Sequence, residues 1–175
     1  MKVKQVLLQN TIGEKEVDFY VPVKIDFKEN DEKNKELFYY RMFNPKSSFV
    51  EVSINSVTSK IVNITLVSVN NFKEIERSCL NIPKEDGNPI IDMSIFSEDH
   101  IITDNVNFNI YIHDKKIYIL QESIAVCKQL KMKFVSLLLD KQNNISGFVF
   151  EDFSDGEWKE VKESIDSSVS IVSEV

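Results

Sequence analysis

Two histidines and the acids around them are the first residues of this chain whose types suggest chemistry. His100 follows Asp99 directly and precedes Asp104 by four residues. Imidazole and carboxylates together form a donor set for a hydrolytic or metal-binding group. Metal sites usually need ligands at a fixed spacing such as H-x-x-x-H, which this sequence lacks. His113 opens a polar turn, where local hydrogen bonding is its expected role. Solvated loop histidines are therefore the competing interpretation.

Nucleophiles and acid–base pairs are equally sparse. Cys79 and Cys127 are the only cysteines, and without a C-x-x-C motif they do not indicate a disulfide scaffold. Each lies in an apolar helical spacing, which favours a buried free thiol. Glu151 and Asp152 are neighbours on a predicted strand, so their side chains point to opposite faces and do not share a substrate. With four glycines, the chain shows no phosphate-binding loop and no G-x-S-x-G motif. The sequence predicts no enzyme, no cofactor and no metal.

Negative charge is concentrated near the end of the chain. Between residues 151 and 166 seven acids stand against two lysines. A one-sided acidic face complements a basic cleft on another protein and speeds its capture. Acids in the first turn of a helix also favour its dipole, and a solvated face is the plainer interpretation. We predict partner contacts at five of these acids: Glu151, Asp152, Asp155, Glu157 and Glu160.

Composition bounds the class of protein and its partners. The 175 residues carry 28 acidic and 21 basic side chains, a net charge of −7, with 42% hydrophobic residues. This length and hydrophobic content predict one globular domain over residues 1–175. Nucleic acids and anionic membranes attract cationic surfaces, so neither is a predicted partner. No apolar run approaches the ~18 residues of a membrane span, and the start of the chain lacks the pattern of a signal peptide. A cytoplasmic location is expected.

The predicted elements are mainly strands. Val50, Val52 and Ile54 alternate with polar residues, and the same alternation returns after a short polar link. This predicts an antiparallel hairpin over 49–69 at the centre of a sheet. Further strands are predicted at 37–43 and 90–96, with hairpins over 106–120 and 134–153 and a first hairpin from the runs 3–8 and 17–27. The likeness of the hairpins at 49–69 and 134–153 fits either two related halves or two unrelated hairpins of similar length.

Helical spacing is limited to short segments. Ser154 and Glu157 have the S-x-x-E spacing of a capping box ahead of an apolar stripe, which predicts a helix over about 156–168. Shorter helices are predicted at 72–79 and 123–132, a loop or helix start at 26–36, and a loop at 81–89. The predicted fold is α+β and β-rich, a single domain with a mostly antiparallel sheet of seven to nine strands and two or three short helices.

Four segments together suggest a family. VEVSINSVTSKIVNITLVSV at 50–69, GNPIIDM at 87–93, NFNIYIHDKKIYIL at 107–120 and FVSLLLDKQNNISGFVFEDF at 134–153 resemble small immunity proteins of bacterial polymorphic and contact-dependent toxin systems. The resemblance implies a cytoplasmic protein that binds its cognate toxin domain, often a nuclease, and blocks it. It transfers no catalytic or binding residue by position.

Three hypotheses for function follow. The first is an immunity protein that occludes the active site of a basic, nuclease-like toxin domain. The second is a non-enzymatic structural or adaptor module of a larger bacterial or phage assembly, which would associate with itself without a toxin. The third is a metal-dependent hydrolase that uses His100, Asp99 and Asp104.

Overall fold

The structure, a computed structural model, describes residues 1–8, 11–28, 36–45, 48–76, 80–96 and 99–172, with side chains as far as residue 165. These ranges form fifteen strands, one α-helix and a 3-10 helix at Met93–Ile95. The strands are β1 (Val3–Leu7), β2 (Gly13–Glu16), β3 (Val23–Phe27), β4 (Leu37–Asn44), β5 (Ser48–Asn55), β6 (Ile61–Ser68), β7 (Phe72–Glu74), β8 (Lys84–Asp86), β9 (Asn88–Ile91), β10 (Ile101–Asn105), β11 (Phe108–His113), β12 (Lys116–Gln121), β13 (Lys128–Lys131), β14 (Val135–Leu139) and β15 (Ile145–Phe150). The helix is α1 (Asp155–Val172). The β-rich class is confirmed, but the described chain has one α-helix where two or three were predicted.

One sheet has six strands in the order β10-β4-β5-β6-β3-β2. Its central pair is the predicted hairpin, with Val52 of β5 opposite Ile64 of β6. Val50, Val52 and Ile54 are completely buried, as their alternation predicts. Neighbouring strands are antiparallel except at one edge, where β10 runs parallel to β4.

A second sheet has seven strands in the order β7-β11-β12-β15-β14-β13-β8. It contains both other predicted hairpins, β11–β12 and β14–β15. The edge strands β7 and β8 are parallel to their neighbours, and the remaining pairs are antiparallel. Strands β14 and β15 are buried along their whole length, because Leu80, Ile82 and Val126 cover the outer face of this sheet.

The two large sheets follow the same path. In each, a hairpin is followed by a three-stranded meander whose last strand pairs with the second strand of the hairpin. These units are β2–β3 with β4–β5–β6, and β11–β12 with β13–β14–β15. Each meander also gains a parallel strand on its outer edge, β10 on β4 and β8 on β13. The two similar hairpins of the sequence therefore occupy equivalent places in the two sheets.

One hydrophobic core unites both sheets and the helix. Buried side chains from the six-stranded sheet, the seven-stranded sheet and α1 belong to a single cluster that includes Ile64, Phe148 and Val161. A two-stranded ribbon of β1 and β9 ties the sheets together. The Ile91 amide donates to the carbonyl of Ser59, and the Val3 amide donates to the carbonyl of Asn143, at 2.8 and 2.9 Å. The chain is therefore one domain.

The C-terminal helix begins as predicted. The Ser154 amide donates to Glu157 Oε2 at 2.7 Å, and the Glu157 amide donates to Ser154 Oγ at 3.3 Å. This is the reciprocal pairing of a capping box. Val161 and Ile165 are fully buried, and Trp158 packs on Phe153 with ring centroids 5.5 Å apart. The helix continues beyond the predicted end, to Val172.

Two of the predicted helices were wrong. The segment 72–79 begins with β7, and the segment 123–132 contains β13. As strands, both segments pair their backbone N–H and C=O groups with a sheet edge. The helical spacing of a few apolar residues is a weaker preference than this pairing. The Ile75 amide, for example, donates to the Ile112 carbonyl at 3.0 Å. Cys127 is a free thiol, as predicted, but it is only partly buried and not fully buried as expected. Cys79 lies outside the described residues.

The pairing of the first strands of the chain and one loop were also predicted wrongly. Strand β1 pairs with β9 rather than with the segment 17–27, and β3 takes β2 as its hairpin partner. The predicted loop at 81–89 contains β8 and the start of β9, and the predicted strand at 90–96 ends at Ile91. Pro89 is tolerated because β9 belongs to a narrow ribbon, where a missing N–H group matters less. Residues 29–35 of the predicted loop or helix start at 26–36 lie outside the described residues.

Candidate partner-binding surface

The acidic segment joins the end of β15 to the first half of α1. Glu151 follows β15 directly, Asp152 turns the chain with a φ of 65°, and Asp155, Glu157 and Glu160 lie on the helix. Aspartate tolerates the left-handed conformation better than most residues. The structure therefore brings the five predicted contact residues into one region, but it places them in different environments.

Glu151 is not a surface residue. It is 3% exposed, and its carboxylate lies 3.3 Å from the Nζ atoms of Lys84 and Lys131 and 3.6 Å from that of Lys116. Ser136 Oγ donates to the same carboxylate at 3.1 Å. Burial opposes ionisation, but Lys131 and Lys84 outweigh it and hold the pKa of Glu151 below its ordinary value. Contrary to the prediction, Glu151 holds β8, β12, β13 and β14 together and presents no exposed carboxylate to a partner.

Asp152 is exposed but partly engaged. Its Oδ2 lies 3.3 Å from Lys131 Nζ, and its carbonyl accepts a hydrogen bond from Lys15 Nζ at 2.6 Å. Burial lowers the pKa of Lys131, and the charges of Glu151 and Asp152 more than offset this effect and raise it. Lys131 is therefore a charged link between the buried acid and the exposed one.

Lys15 is a residue that the sequence did not single out. Its side chain is 3% exposed and ends 3.1 Å from Glu157 Oε2. The ammonium group also lies 5.0 and 4.4 Å from the ring centroids of Phe134 and Phe153, within cation–π range. Lys15 therefore fastens β2 of the six-stranded sheet to α1 and to the seven-stranded sheet. Its neighbours in sequence are polar, so the sequence does not predict that Lys15 is buried.

The helical acids differ in how much charge they present. Asp155 pairs with Lys115, whose hydrogen bond and charge lower the pKa of this exposed carboxyl. Burial raises the pKa of Glu157, but its bonds with Ser154 and Lys15 outweigh that effect and lower it. Glu160 is exposed, and among the side chains that the structure describes it makes no ion pair. The result is a surface of mixed charge on which Asp152, Asp155 and Glu160 are the outward carboxylates.

A cleft of about 350 Å³ adjoins Asp152. Its walls come from the loop before β2, from the end of β8 and from the turn after β13, with two lysines and two aspartates among them. The lining residues are Thr11, Asp86, Gly87, Lys131, Met132, Lys133 and Asp152. Opposite charges face one another here, but the lining contains no histidine, cysteine or hydroxyl–base pair that would act as a nucleophile.

The hydrolase residues of the third hypothesis do not converge. His100 precedes β10, and Asp104 lies four residues along this extended strand, on the order of 13 Å away. Asp104 accepts a hydrogen bond from the buried Tyr40 hydroxyl at 2.6 Å, whereas His100 stacks on Phe38 and lies 3.4 Å from Glu36. Within the described residues no three His, Cys, Asp or Glu side chains form a group suited to a metal ion. His113 hydrogen-bonds the Ile75 carbonyl.

Two comparisons with known proteins show no family for this chain. No family model matches it, and no curated protein matches its sequence significantly. Among the described residues, no helix combines the length and apolar character needed to cross a bilayer.

Proposed function

We propose that this chain is an immunity protein that binds a basic toxin domain of the nuclease class in the cytoplasm and covers its active site. The observation that carries the proposal is the surface at the start of α1, where the carboxylates of Asp152, Asp155 and Glu160 are exposed. Carboxylates on such a surface attract the cationic clefts that nucleases use to hold a phosphate backbone. The net charge of −7 supports the same choice of partner.

The contacts that hold the start of α1 in place also support a binding role. The capping box fixes the first turn of α1, and the buried contacts of Lys15 and Glu151 hold that turn against both sheets. A rigid surface loses little conformational entropy when a partner docks, so more of its contact energy contributes to affinity. Ion pairs with Lys115 and Lys131 reduce the field of Asp155 and Asp152, so Glu160 is the least compensated of the three outward charges.

Neutralising the outward carboxylates should slow association. We expect the triple variant Asp152→Asn/Asp155→Asn/Glu160→Gln to bind about tenfold more slowly at low salt, with a smaller loss of rate as salt rises. Asparagine keeps the left-handed turn at position 152. The probe is the purified C-terminal domain of the protein encoded immediately upstream of this chain, inactivated by substitution, and stopped-flow mixing measures the rate.

A matched triple variant removes the same charge at the far edge of the six-stranded sheet. Glu36→Gln/Glu51→Gln/Asp99→Asn lies on and around β4, β5 and β10, several strands from α1. Its association rate should stay within about twofold of wild type. If both triple variants slow association equally, net charge steers the partner and the surface at α1 does not. Concentration-dependent self-association of the chain, with no binding of the upstream domain, would instead favour the adaptor hypothesis.

A further inference from the structure

Two aromatic side chains project from the turn between β2 and β3. Phe19 is 52% exposed and Tyr20 is 83% exposed, and their rings meet edge to face with centroids 5.3 Å apart. The strand that follows buries Val23, Ile25 and Phe27 in the core. The aromatic pair thus contributes little to the core, and paired exposed aromatics typically mark an interaction site.

The turn holds these rings in place before any partner arrives. Asp18 Oδ1 accepts a hydrogen bond from the Tyr20 amide at 2.8 Å, and the Asp18 amide donates to the Val21 carbonyl at 3.2 Å. Ser164 of α1 is buried, and its Oγ donates to the Phe19 carbonyl at 2.7 Å. The turn is therefore fastened to the helix, so docking on it costs little further ordering.

Most of the charges near the rings are negative. Glu160 precedes Ser164 by one helical turn, so it lies on the side of α1 where the Phe19 carbonyl is bound. Glu16 and Asp18 precede the rings in sequence and are exposed, with Lys24 opposite Glu16 in the ladder of β2 and β3. An apolar centre with an acidic rim is complementary to an apolar pocket bordered by lysine or arginine.

We propose that Phe19 and Tyr20 anchor the toxin domain by entering an apolar pocket on it that is bordered by basic side chains. This inference rests on the proposed function and adds to it the part of the interface that limits dissociation. The turn and the acidic start of α1 lie on one continuous surface, because Lys15 binds Glu157 and Phe19 binds Ser164 along the same helix. The carboxylates then guide the encounter, and the aromatic pair keeps the complex together.

The test is the double variant Phe19→Ala/Tyr20→Ala with the inactivated upstream domain as probe. Hot-spot aromatics often cost a factor of ten or more each, so affinity should fall about 100-fold, chiefly through faster dissociation. The control Val57→Ala/Ile101→Ala removes apolar side chains of similar exposure, 81% and 48%, at distant places. It should bind within about twofold of wild type. Both variants must unfold in urea at the wild-type midpoint, and Tyr20→Ala alone serves if the double variant does not.

The outcomes separate the two proposals. If wild type binds the domain and the aromatic variant binds equally well, the anchor is wrong while the immunity function stands. If both double variants lose affinity alike, the anchor is also wrong, because general apolar contact explains the loss. If wild type itself does not bind the domain, the proposed function fails and the anchor fails with it.

Discussion

Gly147→Ala should destabilise the protein by at least about 3 kcal/mol and lower its melting temperature by about 10 °C. Gly147 lies in β15 in the middle of the seven-stranded sheet. A Cβ atom there would meet the carbonyl oxygen of Ile119 in β12 at 2.0 Å and the Cδ1 atom of Leu138 at 3.2 Å. The first contact is with backbone that is itself paired in the sheet, so it cannot move without breaking the ladder. Urea unfolding followed by the fluorescence of Trp158 measures the loss.

Gly156→Ala provides the matched control. Gly156 lies in the first turn of α1, and a Cβ atom there would meet nothing within 4 Å. Alanine has the higher helix propensity, so this variant should be unchanged or more stable by up to about 1 kcal/mol. Equal stability of the two alanine variants would show that β12 and β15 do not approach each other as described.

Removing the buried carboxylate should have the second large effect. Glu151→Ala leaves Lys84, Lys116 and Lys131 without their shared counter-charge, and removing one partner from a buried ionic group costs about 3 kcal/mol. The three lysine side chains are 25–40% exposed, so water screens part of their repulsion and the cost stays at the low end of the range. Urea unfolding at pH 7 measures it.

Glu151→Gln tests whether the charge itself matters. The amide keeps the shape and can still accept from Ser136, but it carries no charge. The folded-state pKa of Glu151 lies below the ordinary value of 4.5, so its ionic stabilisation is present above that pH and is lost as the pH falls through the folded value. The stability difference between wild type and this variant should be constant from pH 6 to 8 and shrink towards pH 3. A difference that is unchanged at pH 3 would contradict an ionised Glu151.

Strands with regular alternation could be predicted from sequence, and edge pairings could not. Alternation at Val50, Val52 and Ile54 reflects one buried face, a local property of the chain. Strands β7 and β8 are three residues long and pair in parallel with strands more than 35 residues away. Nothing in three residues distinguishes a strand from a loop, because the partner that fixes their conformation lies elsewhere in the chain.

The position of the candidate surface could be predicted from the sequence, but its net charge could not. Counting acids located the segment, and the spacing of Ser154 and Glu157 located the start of its helix. Lysines far away in sequence then compensate these acids, as Lys15 of β2 does for Glu157 of α1. Such pairs arise from sheet topology, so a charge count along the sequence overestimates the field at the surface.

The central claim is that the chain acts by covering the active site of another protein. Its most direct test is to titrate the chain into the active form of the upstream-encoded C-terminal domain and follow that domain's cleavage of nucleic acid. Cleavage should fall to background as the chain becomes equimolar with the domain, and Phe19→Ala/Tyr20→Ala should need a large excess. Cleavage that continues at the full rate with the wild-type chain in large excess would contradict the account.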